Sequence, residues 1–214
     1  MVVSKLKTIL IILLAFLVLI VTAPGPIWFF PLFLVVYLLR EKISFLLKRF
    51  RSLPIKFFAI ALLTGFFVEL LAIINSLPLP PEQRALFHPD PLPDLIFAFG
   101  YYAFIALGAF FILKRYDFSL RKFFSFAGIY GVLTEQLGAV FAMVLSGNLL
   151  AGIYVFFSYG SFLALPYLVL EKDFAELKRK KTRITSYILS MLVLFFCFFL
   201  FALYFLVVQA VFGI

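Results

Sequence analysis

One cysteine and one histidine in 214 residues remove whole classes of chemistry. Cys197 has no partner for an intrachain disulfide and cannot build a multi-thiolate metal site, so within its apolar stretch it reads as a small packing residue. His88 alone cannot form an HExxH zinc motif. There is no GxSxG nucleophile elbow and no Walker lysine loop. Charge is scarce too. Asp, Glu, Lys and Arg make up 14% of residues, against 65% hydrophobic and 20% aromatic, with a mean hydropathy of +1.17. A soluble domain is about a quarter charged and under half apolar, so lipid is the solvent this chain needs. The net charge of +9 does not signal nucleic acid. Its lysines and arginines cluster between apolar runs, where membrane orientation places them.

What is there is a series of apolar runs. They predict an all-α integral membrane protein, one transmembrane domain over 1–214 with about seven helices in one bundle. The spans fall near 8–23, 27–39, 54–76, 94–113, 123–145, 149–170 and 185–212. The second is short unless it borrows from Arg40 onward. The N-terminus imitates a signal peptide, with Lys5 and Lys7 before an apolar run and "VTA" at 21–23. Pro24 fits poorly after a cleavage site, so a retained first span is expected. "APGP" at 23–26 reads as the turn after it. Basic residues lie before the first span and in "REKISFLLKRFR" (40–51), "KRYDFSLRK" (114–122) and "EKDFAELKRKKTR" (171–183). With seven spans all of these share one side, which predicts a cytoplasmic N-terminus, an external C-terminus and anionic lipid headgroups as partners of the basic loops. Segment 40–51 reads as a short interfacial helix with Ile43, Leu46 and Leu47 toward lipid. The expected location is the cell membrane, multi-pass. The last span is apolar all round up to Gln209 and is expected at the bundle edge, against lipid or a second copy of the chain.

Two apolar spans carry a glutamate at depth: "GFFVELLAII" (65–74) with Glu69 and "GVLTEQLGAV" (131–140) with Glu135. They align at one constant offset. Ala61 matches Ala127, Gly65 matches Gly131, Glu69 matches Glu135, Ala72 matches Gly138 and Ser76 matches Ala142. Such spacing puts small residues and one carboxyl on a single helix face. The following spans echo each other as well, "FIALGAFFILKRYDF" (104–118) against "FLALPYLVLEKDF" (162–174), ending in an aligned "DF". A parallel two-helix repeat, spans three and four against five and six, is expected. By helical rise Glu135 lies near the midplane and Glu69 ~6 Å outward.

An ionisable group inside a span is expensive, about 3 kcal/mol on insertion scales for a central aspartate, so it is expected inside the bundle with a partner. Low dielectric and a second nearby carboxyl both disfavour the charged form, so neutral glutamic acids are expected. Tyr101, Tyr102, Tyr130, Tyr159, Gln136, Thr134 and Asn75 are the partners in reach. Above them lies the loop 77–93, in a proline-rich stretch (75–94) with six prolines that also holds His88 and Asp90. Asp94 is expected to cap the fourth span. The CAAX-protease glutamate signature is missing, and 185–212 has no lysine for a retinal. The glutamate spans are similar in style to those of isoprenoid-processing membrane enzymes, and no motif goes beyond style.

Three functions fit. The first is a membrane-embedded enzyme on a lipid-like or isoprenoid substrate, with Glu135 as acid, Glu69 its partner, and His88 with Asp90 closing the site. Gln136, Asn75, Tyr101, Tyr102, Tyr130 and Tyr159 would then line the substrate. The second is a transporter or channel taking a proton, cation or small solute at the same glutamates. The third is a structural or assembly subunit in which the glutamates are glue. The stiff loop beside the glutamates favours the enzyme, because rigid lids position groups whereas carriers more often need hinges. No metal and no particular cofactor is indicated by any of these residues.

Overall fold

The computed structural model describes residues 2–22, 25–47, 49–84 and 86–212. Ala23 and Pro24, on which the cleavage-site reading turns, lie outside them. The described chain is almost wholly helical: α1 (Val2–Val21), α2 (Phe29–Leu47), α3 (Leu53–Ser76), α4 (Pro91–Arg115), α5 (Leu120–Thr134), α6 (Ala139–Leu145), α7 (Leu149–Ala175) and α8 (Ile184–Phe212). Five stretches are long and apolar enough to cross a membrane: α3, α4, the run 120–145, α7 and α8. This is an all-α, multi-pass membrane bundle. The apolar part of α1, Thr8–Val21, is shorter. The expected span 27–39 and the expected interfacial helix from 40 onward are one continuous helix, α2, because nothing between Arg40 and Leu47 breaks it.

Local signals explain several boundaries. Ser52 caps α3 by accepting from the Ile55 N–H at 3.5 Å, and Pro54 occupies the first turn. Asn148 caps α7 by accepting from the Ala151 N–H at 3.3 Å. Pro166 sits inside α7, where it removes one backbone donor, and Leu170 departs from helical dihedrals a turn later.

Helix α7 is the hub. It packs on α5, α2, α3 and α6, while α4 packs on α3 and α8. Phenylalanines fill these seams: Phe30 lies 4.6 Å from Phe157 between α2 and α7, and Phe97 lies 4.3 Å from Phe205 between α4 and α8. Helix α8 buries one stripe, Ser186, Ser190, Leu194, Cys197, Phe201 and Val208, and leaves its other faces open. Cys197 sits against Gly108 in this seam as a packing residue.

Ion pairs gather the charged ends of the helices at one end of the bundle. Arg40 reaches Glu171 at 3.4 Å, Lys172 pairs with Glu41, and Lys56 in the first turn of α3 is buried against Asp173. Arg179 pairs with Asp117 at 2.8 Å. A short parallel pairing, β1 (Tyr116–Asp117) with β2 (Lys180–Lys181), joins the α4–α5 and α7–α8 connections. Both aspartates of the two "DF" pairs are thus held by a cation, and Phe118 and Phe174 are both fully buried.

At the other end, the proline-rich loop is tied by Arg84. Its guanidinium donates to the carbonyls of Leu79 at 3.1 Å, Pro89 at 2.7 Å and Leu77 at 3.4 Å. Prolines leave these carbonyls without local partners, and one planar fork satisfies three of them.

Candidate functional site

Glu69 sits on the face of α3 that meets α4. It is 5% exposed, and its Oε2 accepts from the Tyr102 hydroxyl at 3.0 Å. Gly65, one turn earlier, makes this possible. A Cβ there would lie 2.7 Å from both Cβ and Cδ1 of Tyr102, so only glycine lets the ring lie flat across α3 and aim its hydroxyl at Glu69.

The same construction occurs between α5 and α7. The Tyr159 hydroxyl donates to Glu135 Oε2 at 2.6 Å, and a Cβ on Gly131 would lie 2.6 Å from Tyr159 Cδ2. In both places a glycine one turn before the glutamate seats a tyrosine of the next long helix on its carboxyl.

The second unit differs in its backbone. Helix α5 ends at Thr134, and Glu135 itself is extended at φ −58, ψ 129. Gln136, Leu137 and Gly138 follow with φ of 49, 57 and 91, a left-handed turn before α6. The expected span 123–145 is therefore broken, and the helical face drawn through Glu135 to Gly138 and Ala142 stops at Glu135. Gly138 accepts φ +91 at no cost, whereas two L-residues before it pay for the left-handed region. Leu137 is thrown outward, 88% exposed.

The tyrosines link the two units. Tyr101 and Tyr159 hydroxyls are 3.0 Å apart, and the Tyr101 and Tyr102 rings meet edge-on at 5.3 Å. The Tyr130 ring meets Tyr159 at 6.3 Å, and its buried hydroxyl has no geometric hydrogen-bond partner. Thr134 bonds back to the Tyr130 carbonyl at 2.9 Å and is not a glutamate partner. Glu69 and Glu135 share no hydrogen bond with each other.

Asp94, in the first turn of α4, brings a second carboxyl close to Glu69. Asp94 is fully buried. Its Oδ1 accepts from the Phe87 N–H at 2.8 Å and the His88 N–H at 3.3 Å. Asp94 does not cap α4 in the expected way. The helix starts after Asp90, and the Asp94 carboxyl ties down the loop instead. Sequence reading missed its burial, because an aspartate four residues into a helix after Pro91 carries the pattern of an ordinary first-turn acid.

His88 donates its backbone N–H to Asp94, and its ring Nδ1 accepts from the Asp90 N–H at 3.0 Å. The Asp90 side chain is exposed and 4.0 Å from that ring. Asn75 and Gln136 are both exposed. Asn75 lies beside Gly25 at the end of α3, away from Glu69.

Two small crevices border the first unit. One is lined by Glu69 and Tyr102 with Leu62, Phe66, Leu95, Ala98 and Phe99. It lies between α3 and α4, and Phe66 and Phe99 on its rim are exposed. The other is lined by Tyr102 with Phe57, Phe162 and Pro166. No family model matches the chain, and no curated protein or solved structure does so either.

Proposed function

We propose that the chain is a membrane-embedded enzyme acting on a lipid-like or isoprenoid substrate, with Glu69 as its acid. The observation that supports this reading is the position of Glu69: a buried carboxyl on the wall of an apolar crevice whose rim carries exposed Phe66 and Phe99. An acyl or prenyl chain reaches such a crevice without leaving the bilayer. Protonating an alkene moves the Glu69 proton to carbon and leaves a carbocation. Phe66, Phe99 and Tyr102 present aromatic faces to that charge. The Tyr102 hydroxyl, already on Oε2, stabilises the carboxylate left behind. Loss of a neighbouring C–H proton back to Glu69 completes an isomerisation or cyclisation and restores the acid.

In this reading the basic end of the bundle is cytoplasmic and contacts anionic headgroups, the first and last spans place the N-terminus inside and the C-terminus outside, and the Pro-rich loop is external. The location is the cell membrane. The paired Gly–Glu–Tyr units and the paired "DF" anchors support a parallel internal duplication, one copy of which keeps its helix and faces the crevice. In the other the helix is broken at the glutamate.

That break favours a second reading. Interrupted helices beside buried acids are how many carriers bind ions near the midplane, and Glu135 with Tyr159 and Tyr101 fits a proton or cation site. The test is purified protein in nanodiscs containing polyisoprenoid lipids, incubated in deuterated water. Deuterium entering the isoprenoid, and lost in Glu69→Gln, is the expected result. Unlabelled lipid, with Glu135-dependent proton or cation flux in proteoliposomes, would establish the carrier instead.

A further inference from the structure

We propose that Asp94 is the positioning residue of the acid: it stays a carboxylate, with the proline-rich loop's amides on Oδ1, and its Oδ2 receives the proton-bearing hydrogen bond of Glu69. The inference rests on the reading of Glu69 as an acid and deepens it.

The argument is a count of donors. Asp94 is fully buried, and Oδ1 already accepts two backbone N–H groups from Phe87 and His88. Two N–H donors on one oxygen stabilise the ionised form of that carboxyl. Its Oδ2 is also buried and has no hydrogen-bond partner when Glu69 is drawn as a carboxylate. Buried polar atoms are satisfied in more than about nine cases in ten, so an orphan oxygen beside a second carboxyl asks for a proton between them. Glu69 has one oxygen to give. Its Oε2 accepts from Tyr102, so Oε1 carries the hydrogen and donates to Asp94 Oδ2. Every oxygen of the pair then has a partner, and only one negative charge is buried. The opposite assignment, a protonated Asp94, would waste two N–H donors on a neutral acid and leave the ionised group on the wall of the apolar crevice.

The arrangement gives the loop a role. Phe87 and His88 hold the charge on Asp94, and Asp94 fixes the Glu69 carboxyl that lines the crevice. Arg84 closes the loop behind them. His88 and Asp90 thus act through backbone and ring contacts at the site's rim.

Infrared spectroscopy of the full chain in lipid nanodiscs tests this without substrate. With Glu135→Gln as the background throughout, so that the Glu135 acid band is absent, the protein should show a hydrogen-bonded carboxylic acid C=O band from Glu69 and a buried carboxylate band from Asp94. Glu69→Gln should remove the acid band. Asp94→Asn should remove the carboxylate band and move the acid band to higher frequency, because its charged acceptor is gone. Should either variant fail to fold, carboxyl carbon-13 glutamate in the Glu135→Gln background alone should downshift the acid band and carbon-13 aspartate the carboxylate band. An acid band that survives Glu69→Gln, keeps its frequency in Asp94→Asn, or shifts with labelled aspartate overturns the proposal. These bands are read without turnover, so absence of deuterium transfer would remove the enzyme reading while leaving the pair standing.

Discussion

Gly65→Ala should damage the bundle through one residue, Tyr102. The added methyl would meet Cβ and Cδ1 of Tyr102 at 2.7 Å. Ordinary carbon contacts are about 3.5–4.0 Å, so helix and ring must part by roughly 1 Å. The atoms struck are at the base of the side chain, where rotation gives no relief, so α4 has to move or the ring has to leave. Overpacking of this kind costs about 1–3 kcal/mol. Displacing the hydroxyl also breaks its 3.0 Å bond to Glu69. A hydrogen bond to a buried acid adds about 1 kcal/mol, which brings the expected loss to roughly 2–4 kcal/mol. The assay is equilibrium unfolding in mixed micelles over a double-mutant cycle with Tyr102→Gly, which removes Cβ together with the ring. With the ring gone, Gly65→Ala should cost less than about 0.5 kcal/mol, giving a coupling of at least 1 kcal/mol. If Gly65→Ala costs the same in both backgrounds, the glycine serves something other than the tyrosine and the seating argument is wrong.

Tyr159→Phe should cost about 1–2 kcal/mol, since it removes the donor to Glu135 and the partner of Tyr101 together, and Tyr101→Phe should be milder in the same unfolding assay. Asp173→Asn strands the Lys56 ammonium, whose side chain is 5% exposed, and should fall toward the lower end of the roughly 3–5 kcal/mol for a broken buried pair. Replacing Lys56 with methionine in that background should recover much of it. Gly138→Ala should cost about 1–2 kcal/mol from backbone alone, because no atom closer than the Leu133 carbonyl at 3.6 Å stands in its way. Arg84→Ala should speed proteolysis within the proline-rich loop while leaving helical circular dichroism unchanged, and equal cleavage rates would show that the prolines alone hold it.

Much of this is legible in the residues, and the exceptions have physical causes. Apolar length marks the long helices, and the aligned glycines and glutamates mark both places where a tyrosine is seated. The tyrosine partners are not equally plain. The apolar match between α4 and α7 sets Tyr101 against Tyr159, yet Tyr102 is the residue that occupies the matching position on Gly65. Helix rotation, which sequence spacing does not carry, makes that one-residue difference. The face of α8 was invisible because leucine and phenylalanine surround it, so lipid and protein demand the same side chains. Asp94 looked like a helix-start acid, and only the fold brings Glu69 to it. The break after Thr134 was hidden because Gln136 and Leu137 are not turn formers, and Gly138 alone reads as a small residue on a helix face.

That left-handed turn bears on how the protein is made. A nascent span entering lipid must satisfy its backbone groups within itself, and the 26 residues of 120–145 would do so best as one straight helix. Turning Gln136 and Leu137 left-handed costs roughly 1–2 kcal/mol for each, with nothing inside the segment to offset it. The offset comes from α7, which packs against both α5 and α6 and brings Tyr159 to Glu135. The break therefore belongs to the assembled bundle and not to the inserting chain. Whatever holds α7 in place also holds the shape of the segment that carries Glu135.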